Sequence, residues 1–229
     1  MVQFNKNFNQ PPKMNVAKIT EHTLLKPDAT SAQIKLLCQE ALLHEFYGVC
    51  IPPYFVRETA RSINERMKII TVVGFPMGFS TIPAKVEEIK KAFNEGGDEV
   101  DAVVSIAAVK SGNWAYVKTE LESMMRAVAM RGKILKLIIE PTFLTPDEIK
   151  RVLEIATSEG VQFIKTSTGF FGHPTTVEQV KFIRANLTPK IKIKAAGGIK
   201  TIDQVQKLVA AGADRIGTSH GVQMLTGIL

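Results

Sequence analysis

Cysteine is scarce in this chain: Cys38 and Cys50 are its two, and they form no Cys-x-x-Cys pair. That leaves little from which to build a disulfide framework or a thiolate zinc site, so a reducing compartment, the cytoplasm, is the expected location. Histidine is equally sparse, and no two of the four stand at metal-ligand spacing, so no metal and no cofactor are expected. No G-x-G-x-x-G follows a first strand and no G-x-x-x-x-G-K-[ST] occurs, which removes the signatures of dinucleotide and P-loop binding. No apolar run approaches the ~18 residues of a transmembrane helix. The opening residues also lack the apolar core of a secretory signal. The net charge is +7, yet lysine and arginine never form a long run and are not interleaved with aromatics. A nucleic-acid binder would concentrate them in a stripe. A dispersed basic excess better suits a site for a phosphorylated metabolite.

What the chain does have is an alternation of short β-branched runs with longer amphipathic stretches. Strands are predicted at 47–51 (YGVCI), 68–75, 98–106, 134–140, 161–167, 190–196 and 214–219, with a weaker one at 19–25. Helical patterns separate them. Residues 31–45 follow Thr30 and Ser31, either a suitable N-cap. TPDEIKRVLEIATSEG offers Thr145 as N-cap, Pro146 at the first position and Glu148 three residues on. Residues 201–213 and 83–97 repeat the plan. Alternating strand and helix implies parallel pairing with right-handed crossovers. An open doubly wound sheet could use the same elements. Eight strands in 229 residues favour a closed barrel instead, an α/β fold of the (β/α)8 TIM type with one domain over 14–229. Residues 1–13, polar and Pro-bearing, read as a tail.

Barrel enzymes keep their chemistry at the C-terminal ends of the strands. There the sixth strand carries Phe163-Ile164-Lys165, followed by Thr166-Ser167-Thr168-Gly169, and the seventh carries Lys192-Ile193-Lys194-Ala195-Ala196-Gly197-Gly198. Lysine is rarely buried. Lys165 is therefore either an outward residue snorkelling to water or an amine inside the barrel; the second reading is preferred. Alternation puts Lys192 and Lys194 on one side, and the glycine pair favours Lys194 as the one near the top. Two inward lysines would repel, which lowers the pKa of at least one of them and leaves a neutral amine able to attack a carbonyl. Glu99 and Asp101 share a side of the fourth strand, and Lys136 and Glu140 share one on the fifth. Glycines cluster after strands six, seven and eight (Gly169 with Gly172, Gly197 with Gly198, Gly217 with Gly221), where bare amides can cradle phosphate. His22 could reach the site or be structural; His44 and Trp114 suggest no role. Cys50 shares its side with Gly48 and Pro52 and is a candidate site thiol, although a free cysteine is more often a buried structural one.

The stretches EHTLLKPDAT (21–30), VVGFPMG (72–78), DEVDAVVSIAAVKSGNW (98–114), FIKTSTGF (163–170), KIKAAGGIKT (192–201) and AGADRIGTSHG (211–221) resemble the 2-deoxyribose-5-phosphate aldolase family over nearly the whole chain from about residue 14. KTSTG and KAAGG together, with the DEVD strand before them, make a specific signature. The resemblance implies a class I, Schiff-base aldolase without cofactor, acting on small phosphosugars and aldehydes, as a homodimer or homotetramer. It implies Lys165 as the Schiff-base lysine, Lys194 as a second lysine that lowers its pKa, and Asp101 as the acid of a proton relay. It further implies Gly169, Gly197, Gly198 and Ser219 as the phosphate cradle. Departures from the family pattern are Glu21 for aspartate, Pro141 for threonine, and His220 in the last strand's loop. Leu229 is reached without the C-terminal tyrosine of some members, which bears on the proton-abstraction step. A transaldolase-like enzyme on a larger phosphosugar is the nearest alternative.

Overall fold

The computed structural model describes residues 15–227, so the tail expected over 1–13 lies outside the described residues. Eight parallel strands close into a barrel in chain order: β1 Thr20–Thr23, β2 Gly48–Ile51, β3 Lys68–Val73, β4 Glu99–Val103, β5 Ile134–Ile138, β6 Phe163–Lys165, β7 Lys192–Ala196 and β8 Arg215–Thr218. Around them run α1 Ser31–Leu43, α2 Val56–Ile63, α3 Ile82–Asn94, α4 Ile106–Lys110, α5 Trp114–Ala129, α6 Pro146–Ser158, α7 Val177–Ala185, α8 Ile202–Ala210 and α9 Gly221–Thr226. Each predicted strand is present. None of the described helices is long and apolar enough to cross a membrane.

The helix starts follow from local chemistry. Thr30, Thr145, Thr176 and Thr201 each accept the backbone N–H three residues on, and Gln33, Glu148, Gln179 and Gln204 return the bond to the cap's own amide. These reciprocal bonds satisfy donors that the first helical turn would otherwise leave open. Strand β6 is shorter than the 161–167 run predicted. Beyond Lys165 the hydroxyl of Thr166 takes over part of the ladder, donating to the Ala196 carbonyl at 3.1 Å and accepting the Ala196 amide at 3.0 Å. The chain stays beside β7 while its backbone turns toward a loop.

The main core lies between the outer face of the barrel and the helices. Val100, Ala102, Leu135, Leu137, Ile164, Ile193, Ala195 and Ile216 face it from the strands and are fully buried. Alternation then sends the intervening residues into the barrel. There Cys50, Ile70 and Val72 make a small apolar cluster, while β1, β4, β5, β6, β7 and β8 contribute charge.

Close strand approach makes one glycine indispensable. A Cβ on Gly48 would lie 2.3 Å from the Lys68 carbonyl oxygen, across the β2–β3 pair. Gly112, by contrast, has φ +65° but open space around it. We expect Gly112→Ala to cost ~1 kcal/mol from backbone strain alone. Gly48→Ala should cost more, roughly 2–3 kcal/mol, because a strand must shift. Urea midpoints of the two variants check this; an equal or smaller loss for Gly48→Ala would show that the barrel accommodates the extra carbon.

Candidate active site

Register brings the charged residues together. Lys165 on β6 stands level with Lys194 on β7, and Asp101 on β4 stands level with Lys136 on β5. Across the barrel, Asp101 Oδ2 accepts from Lys165 Nζ at 2.8 Å and from Lys194 Nζ at 2.7 Å, while Oδ1 accepts from Lys136 Nζ at 3.0 Å. Lys194 also donates to Glu21 on β1. Below them, Lys136 Nζ lies 2.5 Å from Glu99 and 3.3 Å from Glu21. Arg215 reaches Glu21 at 3.0 Å and Glu99 at 3.5 Å. Its guanidinium lies 3.3 Å over the Tyr47 ring, whose hydroxyl donates to Glu99. Lys192, which shares the side of Lys194, stays exposed at the floor beside Phe163.

Four cationic side chains (Lys136, Lys165, Lys194, Arg215) thus meet three carboxylates (Glu21, Glu99, Asp101) in a buried volume. Burial by itself would raise the Asp101 carboxyl, but the charges of Lys136, Lys165 and Lys194 override it and hold the group well below its ordinary range. Glu21 behaves alike, with burial opposed by Lys136 and Lys194. For Lys194, burial favours the neutral form, yet Asp101 and Glu21 outweigh it and the pKa rises. The two lysines do not face each other bare, because a carboxylate oxygen sits between them. Lys136 is likewise raised, by Asp101, Glu21 and Glu99 acting against burial.

Above the cluster opens a cavity of about 420 Å³ whose floor holds Lys165 and Lys194. Gly169, Gly197, Gly198 and Ser219 line its rim on the loops after β6, β7 and β8. The three glycines have φ of +83°, +104° and +70°, which favours glycine at each. Their amides donate to none of the described residues' carbonyls or side chains. Glu140 turns left-handed at the end of β5 (φ 45°), and its carboxylate accepts the Thr168 amide, fixing the loop that carries Gly169. It therefore stands apart from the charged layer that contains Lys136. Phe75 and Phe170 pack edge to face, 5.1 Å between centroids, and the Phe75 ring centre lies 6.0 Å from Lys165 Nζ.

Lys165, Lys194, Asp101 and Cys50 are brought into one site. The Cys50 thiol is fully buried, with its sulfur 4.0 Å from Asp101 Oδ2. Nearby lysine charge does not make it a thiolate: burial pushes its pKa up to about 11, and the pull of Lys194 is the smaller effect. His22 points away from the barrel interior, donating to Glu40 of α1 at 2.8 Å. Glu21, Arg215 and Tyr47 escaped notice as members of the site. For Glu21 and Arg215 the signal was a charge within or opening a strand; for Tyr47 there was none.

A family model described as DeoC/LacD family aldolase matches residues 17–227. The deoxyribose-phosphate aldolase of Thermococcus gammatolerans is 42% identical over 217 residues, covering 93% of this chain and 96% of the relative. Deoxyribose-phosphate aldolase 2 of Staphylococcus aureus is 40% identical over 94% of this chain and 97% of its own length. Among solved structures, the deoxyribose phosphate aldolase of Aeropyrum pernix, described as a tetramer, superposes with a TM-score of 0.85 at 26% identity, covering 93% of this chain and 90% of its own.

The depressed carboxylates set an acid limb to stability. Because Asp101 and Glu21 have folded pKa values below their unfolded ones, their contribution is complete above about pH 4.5 and is lost as pH falls through the folded values. We expect Tm to fall steeply below about pH 4. Asp101→Asn, which leaves Lys136, Lys165 and Lys194 short of a counter-charge, should lower Tm at neutral pH and flatten that limb. An unaltered acid limb in the variant would mean that other carboxylates govern it.

Proposed function

The chain belongs to the DeoC/LacD family of aldolases, and from that membership we propose that it cleaves and re-forms 2-deoxy-D-ribose 5-phosphate. The products are D-glyceraldehyde 3-phosphate and acetaldehyde, and the reaction passes through a Schiff base on Lys165. The observation that carries this reading is the convergence of Lys165 and Lys194 on one oxygen of Asp101 at the floor of the cavity. A reacting carbonyl placed there meets an amine, an acid and a carboxylate together.

Nucleophilic attack needs a neutral amine. Releasing one proton from four cations and three carboxylates leaves the cluster balanced. Lys165 pairs with one carboxylate, whereas Lys194 and Arg215 pair with two and Lys136 with three. Lys165 is therefore the amine that gives up its proton at least cost in lost pairing. Its Nζ bonds to C1 of the open-chain sugar. Lys194, held as an ammonium by Asp101 and Glu21, gives a proton to the departing hydroxyl as the carbinolamine loses water. The iminium then draws the electrons of the C2–C3 bond as the C3 hydroxyl loses its proton. Glyceraldehyde 3-phosphate leaves, and the enamine takes a proton at C2 before water releases acetaldehyde. Asp101 anchors both lysines and, through water, carries protons between them and the reacting atoms.

The phosphate rests among the amides of Gly169, Gly197, Gly198 and Ser219 at the rim. Residues 14–229 act as one catalytic unit in this reading, with no metal or cofactor. Two buried free cysteines suit the cytoplasm. A homodimer or homotetramer is in keeping with the tetrameric description of the Aeropyrum pernix relative.

Borohydride reduction in the presence of acetaldehyde should add a two-carbon unit to Lys165, located by peptide mass mapping. Lys194→Leu should still fold and trap slowly, with kcat down on the order of a hundredfold from the lost acid. Label on Lys194, or none, would sink the assignment.

Cys50 makes the site self-limiting. Two acetaldehydes condensed on Lys165 can lose water to a conjugated iminium, which a nearby thiol can capture, bridging Cys50 and Lys165. Since burial holds the thiol up near 11, capture is slow. Inactivation at high acetaldehyde should be gradual, and Cys50→Met should resist it. Equal inactivation rates would put the lesion elsewhere.

A further inference from the structure

Substrate phosphate arrives as a dianion, and the cradle of glycine amides supplies dipoles but no full charge. The two lysines on the cavity floor are committed to carboxylates, Lys165 to Asp101 and Lys194 to Asp101 and Glu21. His220, on the rim, is hydrogen-bonded to Ser219. One further cation lines the same cavity. Lys26 lies on the loop between β1 and α1 and is exposed, and among the described residues it has no carboxylate or hydrogen-bond partner for its ammonium. Barrel closure sets its position: β1 pairs with β8, so the loop after β1 stands next to the loop that carries Ser219. Loops after β6, β7, β8 and β1 thus form one continuous arc of rim, with unbonded glycine amides on two of them and a free ammonium at its end.

We propose that Lys26 is a specificity-determining residue: it supplies the charge that pairs with the substrate's phosphate and thereby sets the preference for phosphorylated over unphosphorylated substrates. This rests on the aldolase reading above. The distances run in the right order. The aldehyde carbon must reach Lys165 at the floor, and the phosphate, at the far end of a five-carbon chain, emerges at the rim where Lys26 stands. The side chain's lack of any partner means that no existing ion pair must break when phosphate binds. A flexible lysine on an exposed loop can follow the phosphate as a compact point charge. Because the pairing is open to solvent, its contribution is moderate and sensitive to salt.

The test is the ratio of kcat/KM for 2-deoxyribose 5-phosphate to kcat/KM for 2-deoxyribose, a quantity independent of the fraction of protein folded. Lys26→Ala should lower that ratio on the order of tenfold, mainly through KM for the phosphorylated sugar. Lys26→Glu should lower it further, and Lys26→Arg should restore most of it. Lys118→Ala, which removes an equal charge from the exposed side of α5, should leave the ratio at the wild-type value. Inorganic phosphate should compete less well against Lys26→Ala than against wild type. A ratio unchanged in Lys26→Ala, or lowered equally by Lys118→Ala, overturns the assignment of Lys26 while leaving the aldolase reading intact. Failure of the wild type to cleave either sugar overturns that reading itself.

Discussion

Three lysine ammonium groups converge on the carboxylate of Asp101, and the barrel interior is arranged to keep that convergence stable. A buried charge without partners would cost several kcal/mol. Here each charge is answered from a neighbouring strand or from across the barrel: Glu21 answers Lys194, Lys136 and Arg215, and Glu99 answers Lys136 and Arg215. The cluster is therefore cooperative. Removing Asp101 would leave three cations under-paired at once, so any effect of that change on activity would come together with an effect on the fold. The apolar cluster of Cys50, Ile70 and Val72 fills the opposite side and keeps water from diluting these interactions.

The same cluster sorts its lysines into roles by the number of carboxylates each contacts. Lys136, with three, is a fixed cation deep in the barrel; Lys194, with two, is an ammonium at the cavity floor; Lys165, with one, is the least tied of the three. Two lysines of equal intrinsic chemistry on adjacent strands thereby have different electrostatic surroundings. Above them, among the described residues that line the cavity, Lys26 is the one remaining lysine and no arginine or carboxylate joins it, so polarity changes from an ionic floor toward backbone amides. That gradient suits a substrate with a reactive carbonyl at one end and a phosphate at the other.

Much of this was legible without coordinates. Period-two alternation against longer amphipathic runs gave the eight strands and the barrel, because side-chain direction in a strand is fixed by local geometry. The capping threonines announced their helices for the same reason: the bond from Thr145 to Glu148 spans three residues and needs nothing distant. Lys165, Lys194 and Asp101 stood out as charges where apolar residues belong, and the glycine sets marked the rim.

What the linear chain could not decide was everything that depends on which strands face one another across the closed barrel. Asp101 and Lys194 are 93 positions apart and Glu21 and Lys194 are 173 apart, yet the three share bonds. The raised pKa of Lys194 therefore comes from carboxylates that are distant in sequence and adjacent in space. Lys136 and Glu140 share a strand side but not a function, because a left-handed turn at Glu140 aims its carboxylate at the neighbouring loop. Cys50 stands out in the sequence as a candidate site thiol; burial, invisible in one dimension, keeps it protonated. Sequence thus determined the elements and which residues share a side of each strand, both local properties of the backbone. Only closure of β8 against β1 decided their partners, since electrostatic pairing depends on distance through space.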